Sequence, residues 1–125
     1  MPIRIFYHEN GGILAKGEGI VTGREIEETN DQLYETKEKI EKILYQIIDY
    51  TGVEKFSVSN AEIDILASQD RKAYEINPSM LIAIVSEQDL IFGFSRMWEA
   101  KVYDPSFQTK VFRKFRTPDL WRITN

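Results

Sequence analysis

Apolar and polar positions change period along the chain, and each change marks an element. From Ile3 to His8 they alternate residue by residue, with Ile3, Ile5 and Tyr7 on one side and Arg4, Phe6 and His8 on the other. Period two predicts a strand. Glu9-Asn10-Gly11-Gly12 follows, a turn sequence because Asn and Gly accept positive φ. Ile13 to Val21 predicts a second strand, and its Gly17 and Gly19 predict a bulge or a close backbone approach.

Thr22 and Glu25 have the spacing of a capping box, so a helix should follow with Ile26, Asn30, Leu33 and Tyr34 on one face. Lys37 to Lys42 reads as a charged connector or an extension of that helix. Ile43 to Tyr50 is apolar on both sides and rich in β-branched residues, which predicts a central buried strand closed by Asp49 and Thr51-Gly52. Ser59 and Glu62 form a second capping box. The helix it opens carries Ile63, Leu66, Ala67, Asp70 and Tyr74 at helical spacing and stops at Asn77-Pro78. Met80 to Ser86 predicts another buried strand, Asp89 to Val102 a third helix, and Thr109 to Phe115 a last strand. Thr117 should cap a short final helix with Pro118 at its first position.

The resulting order, β-β-α-β-α-β-α-β-α, is that of an α/β fold. It implies one domain over 1–125 with a mostly parallel mixed sheet of about five strands, the first strand being the antiparallel exception.

Composition narrows the chemistry. The chain has 125 residues and no cysteine. That removes disulfides, thiolate nucleophiles and thiolate-bound metals, and it fits a reducing cytoplasm, the expected location. The apolar run Met80 to Val85 is far shorter than the roughly 20 residues of a membrane span, and the N-terminus has no signal-peptide core, so neither a span nor export is expected. Residues 1–70 hold seven Lys/Arg against fourteen Asp/Glu, and residues 71–125 hold nine against six. The basic cluster Lys110, Arg113, Lys114, Arg116 and Arg122 reads as a solvated surface. With an overall balance of −4, a nucleic-acid partner is not expected.

Candidate catalytic groups are sparse. Gly17, Gly19 and Gly23 are spaced G-x-G-x-x-x-G, and the first two lie inside a strand instead of at the strand–helix turn that would hold a dinucleotide's pyrophosphate. His8 is the single histidine and has no evident nucleophile or metal-ligand companion. The carboxylate pairs, such as Glu27-Glu28 and Glu35 with Glu38, sit beside lysines on helix surfaces. No cofactor, metal or enzymatic activity is expected.

Two features point to contact instead. The third helix is apolar around more than one face. It is therefore either deeply buried or presents Phe94, Arg96, Met97 and Trp98 to a partner or an apolar ligand. Ser59 is a helix N-cap at which a phosphate would sit on the positive end of the helix dipole, so it is also a candidate phospho-switch.

The blocks Tyr45-Gln46-Ile47-Ile48-Asp49-Tyr50-Thr51, Leu81 to Val85, Phe92-Gly93-Phe94-Ser95-Arg96-Met97-Trp98-Glu99 and Val111-Phe112-Arg113 resemble the STAS domain of bacterial anti-sigma-factor antagonists. They are most similar to its divergent bacterial members, which are distantly similar to lipid-carrying SEC14-type domains. The resemblance covers nearly the whole chain and implies a non-enzymatic regulatory module that binds a protein partner, a second copy of itself included. The antagonists' regulatory phosphoserine maps onto Ser57-Val58-Ser59-Asn60, which makes Ser57 a second candidate. Here no Asp precedes either serine, and Asn60-Ala61 replaces the small residues of the family pattern. The alternative function is a carrier of a small apolar, lipid-like ligand held between the third helix and the sheet.

Overall fold

The chain turns first where Asn and Gly permit it. His8 N–H donates to the Gly12 carbonyl at 2.8 Å, Gly12 N–H to the Asn10 side-chain oxygen at 2.9 Å, and Gly11 takes a φ of 90°. This turn joins β1 (Ile3–Tyr7) to β2 (Gly12–Thr22) as an antiparallel pair with Ile3 opposite Gly17 and Tyr7 opposite Ile13. The structure is a computed structural model and describes residues 2–114. The elements after β2 are α1 (Gly23–Leu33), α2 (Lys37–Glu41), β3 (Tyr45–Ser57), α3 (Asn60–Ile76), β4 (Leu81–Val85), α4 (Asp89–Val102) and β5 (Gln108–Phe112).

Among the described residues the five strands form one sheet in the order β1-β2-β3-β4-β5. Every pair after the first is parallel. The chain is thus an α/β fold whose strands advance in one direction across the sheet. Right-handed crossovers in a single direction stack their helices on one face. The main core agrees: it joins Ile26 and Leu33 of α1, Ile40 of α2, Ile63, Leu66 and Tyr74 of α3, and Ile91, Trp98 and Val102 of α4 to Ile13, Tyr50, Val53, Ile82 and Ile84 of the sheet. A second, smaller cluster of Tyr45, Ile47, Ala83 and Val85 occupies the alternate strand positions on the opposite face.

Both predicted capping boxes form. Glu25 N–H donates to the Thr22 hydroxyl and Thr22 N–H to the Glu25 carboxylate at 2.9 Å. Ser59 and Glu62 repeat the arrangement at α3. The connector at 37–42 is a separate helix, not an extension of α1, because Thr36 caps it afresh by accepting from Lys39 N–H at 3.1 Å.

The third strand is longer than the sequence suggests. It passes Thr51-Gly52 and ends at Ser57, since β2 continues alongside and supplies partners as far as Thr22 opposite Ser57. Two register shifts interrupt this pairing, between Lys16 and Glu18 and between Gly19 and Ile20. Gly19 at the second has a φ of 68°, and a Cβ on Gly17 would come within 3.0 Å of Val53. The two glycines thus mark the bulge and the close approach expected of them. The last strand starts at Gln108 and ends at Phe112, short of the predicted Phe115. The Thr117-capped helix, with Arg116 and Arg122 of the basic cluster, lies outside the described residues.

Candidate functional site

Helix periodicity places one charged group where an apolar one belongs. The buried stripe of α3 runs Ile63, Leu66, Ala67, Asp70, Ala73, Tyr74. Asp70 stands in its middle and is 6% exposed. A carboxylate taken out of water demands hydrogen-bond donors, and neighbouring elements supply two. The Tyr34 hydroxyl, just past α1, donates to Oδ1 at 2.7 Å, and the Trp98 indole N–H of α4 donates to Oδ2 at 2.8 Å. Gln46 of β3, itself 1% exposed, donates to the Tyr34 hydroxyl at 2.7 Å and lies 3.4 Å from the Met80 sulfur. Three helical segments and the central strand therefore converge on one acid. No buried side-chain nitrogen or oxygen among the described residues lacks a partner.

Among the described residues no Lys or Arg forms an ion pair with Asp70, and each described bridge joins other groups. Burial raises the Asp70 pKa from 3.8 to about 6, against the two hydrogen bonds that lower it. Their own burial, reinforced by the Asp70 charge, holds the Tyr34 and Tyr50 hydroxyls well above the usual phenol range.

Asp70 faces a cavity between the helix layer and the sheet. Its floor is Ala15, Gln46, Ile48, Tyr50, Ile82 and Ile84; its roof is Ile26, Asn30, Leu66, Phe94 and Trp98 together with Asp70. Ile48 stands under the helices on the central strand yet remains half-buried, the mark of unfilled space beside it. The space open to the centre of a water-sized sphere is about 60 Å³. Restoring that sphere's ~1.4 Å radius around a compact region gives on the order of 200 Å³. Apolar cavities of about 150 Å³ stay dry and admit benzene. One ring or a short branched chain fits here, whereas drug-sized ligands occupy about 300–1,000 Å³.

The residues singled out on the third helix, now α4, divide between its two sides. Trp98 is 6% exposed because its ring fills the helix–sheet space and its N–H satisfies Asp70. It is absent from the surface, so a partner patch that needs it exposed is excluded. Phe94 is half-buried, lines the cavity and packs on Phe56 with ring centroids 5.7 Å apart. Arg96 and Met97 face outward, Arg96 3.5 Å from the Glu99 carboxylate. α4 looks apolar all round because its buried stripe of Ile91, Ser95, Trp98 and Val102 is flanked by exposed Leu90 and Met97.

Ser57 and Ser59 are both exposed where β3 meets α3. Ser59 accepts from Glu62 N–H at 3.1 Å, while the Glu62 carboxylate lies 2.8 Å from Ser59 N. A phosphate on Ser59 would meet that carboxylate and have to displace it. His8 sits apart, its Nδ1 3.1 Å from the Tyr45 hydroxyl. No three His, Cys, Asp or Glu among the described residues gather as metal ligands, and no described helix is long and apolar enough to cross a membrane.

Sequence reasoning placed Asp70 on the correct helical stripe but gave it no role. Its signal was a charge at a core position. The chain matches no protein-family model and no curated protein.

Proposed function

We propose that this chain is a non-enzymatic, STAS-like binding module that holds one small apolar ligand between its helices and its sheet. The cavity is the observation that carries this reading: a mostly apolar chamber with a few polar side chains, of which Asp70 is the one acid, has the make-up of a ligand site. The one-directional sheet with a single antiparallel pair supports the STAS-like assignment. Its test is benzene titration followed by amide chemical shifts. Residues around the cavity should shift in the wild type and stay still in Ala15→Ile, which fills the floor. A folded wild type whose cavity resonances do not respond overturns the reading.

A partner-binding role has its own observation. Leu90 and Met97, seven residues apart on one stripe of α4, are 60% and 39% exposed. Regulation through this stripe, with a second copy as the partner, would give a dimer in sedimentation equilibrium that Leu90→Ser/Met97→Ser abolishes. A wild type that stays monomeric at all concentrations removes it.

A further inference from the structure

Taking the cavity as a ligand site, as proposed above, we infer that its ligand is a compact apolar amine whose nitrogen bonds to Asp70. Three observations converge on that class. The walls are mostly aliphatic and aromatic, with a few neutral polar side chains such as Asn30 and Gln46, so the body of the ligand is apolar. Its size is set by a chamber with room for about one ring. The polar end must be a donor, because the group that meets it is a carboxylate.

The carboxylate has room for that donor. An ionised Asp offers about four lone-pair positions. Tyr34 takes one on Oδ1 and Trp98 one on Oδ2. The remaining positions belong to a group that lines the cavity.

Charge decides between an amine and a neutral donor. Asp70 is buried without a cation among the described residues, held by two neutral donors. A buried charge is costly until an opposite charge pairs with it. An alkylammonium would bring the missing positive charge into the low-dielectric space where the pairing is strongest. A ligand carboxylate or phosphate would instead face Asp70 and be repelled. Thr29 and Asn30 line the same cavity from α1, Gln46 and Tyr50 from β3, and Ser95 and Trp98 from α4; all are neutral, so the selectivity for positive charge rests on Asp70.

The test compares three ring compounds of similar size, benzylamine, benzyl alcohol and toluene, at pH 7.5. Binding to the intact chain is followed through the Trp98 indole N–H resonance, assigned with Trp121→Phe. Benzylamine should bind the wild type about tenfold or more tightly than toluene, the margin of a hydrogen bond to a charged group. Asp70→Asn should lose that preference and still bind toluene. If toluene binds the wild type and benzylamine binds no better, or if benzyl alcohol equals benzylamine, the amine assignment is wrong and the ligand site stands. If none of the three binds a folded wild type, the site itself fails. Leu66→Ala, which enlarges the chamber without touching Asp70, should retain the preference for the amine; a loss there as great as in Asp70→Asn assigns the effect to packing and overturns the inference.

Discussion

Replacing Asp70 by Asn should change how stability depends on pH, in the direction opposite to most acids. A surface-paired carboxylate has its pKa lowered by folding, so protonating it destabilises the fold. Asp70 has its pKa raised from 3.8 to about 6. Between those values the folded chain binds more protons than the unfolded one, so stability falls as pH rises. Below the lower value both states are protonated, and above the upper value both are ionised, so the effect is confined to the interval. At 1.36 kcal/mol per pH unit, the span from 3.8 to about 6 amounts to about 3 kcal/mol. Because pH 4 already lies above the lower value, wild type should lose about 2 kcal/mol of this between pH 4 and pH 7 through this group alone. Other carboxylates shift stability too, but they are shared with Asp70→Asn and cancel in the difference. The assay is urea denaturation of both proteins from pH 4 to pH 8, with a common slope confirming the same unfolding transition. The difference, wild type minus variant, should drop by about 2 kcal/mol from pH 4 to pH 8. A difference that stays flat or grows with pH would show that the acid is solvated or paired with a cation, and would refute the reasoning.

Trp98→Phe keeps an aromatic ring, though a smaller one, and removes the donor to Oδ2. It should destabilise the protein by about 1–3 kcal/mol at pH 7 and move the Asp70 titration further upward, read from the carboxyl carbon shift by NMR. Gly12→Ala puts a Cβ 2.0 Å from the Tyr45 ring. The ring must move, which should cost about 1–3 kcal/mol by urea denaturation and release the His8–Tyr45 contact, visible in the His8 ring resonances. Thr22→Ala removes one half of the α1 capping box and should cost about 1 kcal/mol in thermal or urea melts.

Local chemistry was legible in the sequence because its causes lie within a few residues of each other. Thr22 with Glu25 and Ser59 with Glu62 fixed two helix starts through contacts three residues apart. Asn10-Gly11-Gly12 fixed the first turn through backbone freedom, and alternation in β1 fixed its faces. The antiparallel first pair followed from the short loop, and the α/β class from the alternation of elements. What the local signal could not reach was length and partnership. β3 runs to Ser57 because β2 lies beside it, a fact of pairing that Thr51-Gly52 seemed to deny. Thr36 made a new helix of what reads as a charged connector, since its hydroxyl reaches Lys39 N–H.

The candidate site shows the same division. Sequence alone determined that Asp70 shares a stripe with Leu66 and Tyr74 and that α4 carries excess apolar residues, since both follow from a 3.6-residue period. It also settled the absence of cysteine and the presence of a single histidine. Tertiary structure alone decided that Trp98 points inward, that Tyr34, Gln46 and Asp70, spread over 37 positions of sequence, meet within hydrogen-bond distance, and that a chamber remains beside them. A buried charge is tolerated through donors that packing brings from distant segments, and a cavity is the volume that packing leaves unfilled. Neither property belongs to a residue or its neighbours in the chain, so both appear only when the helices are laid on the sheet.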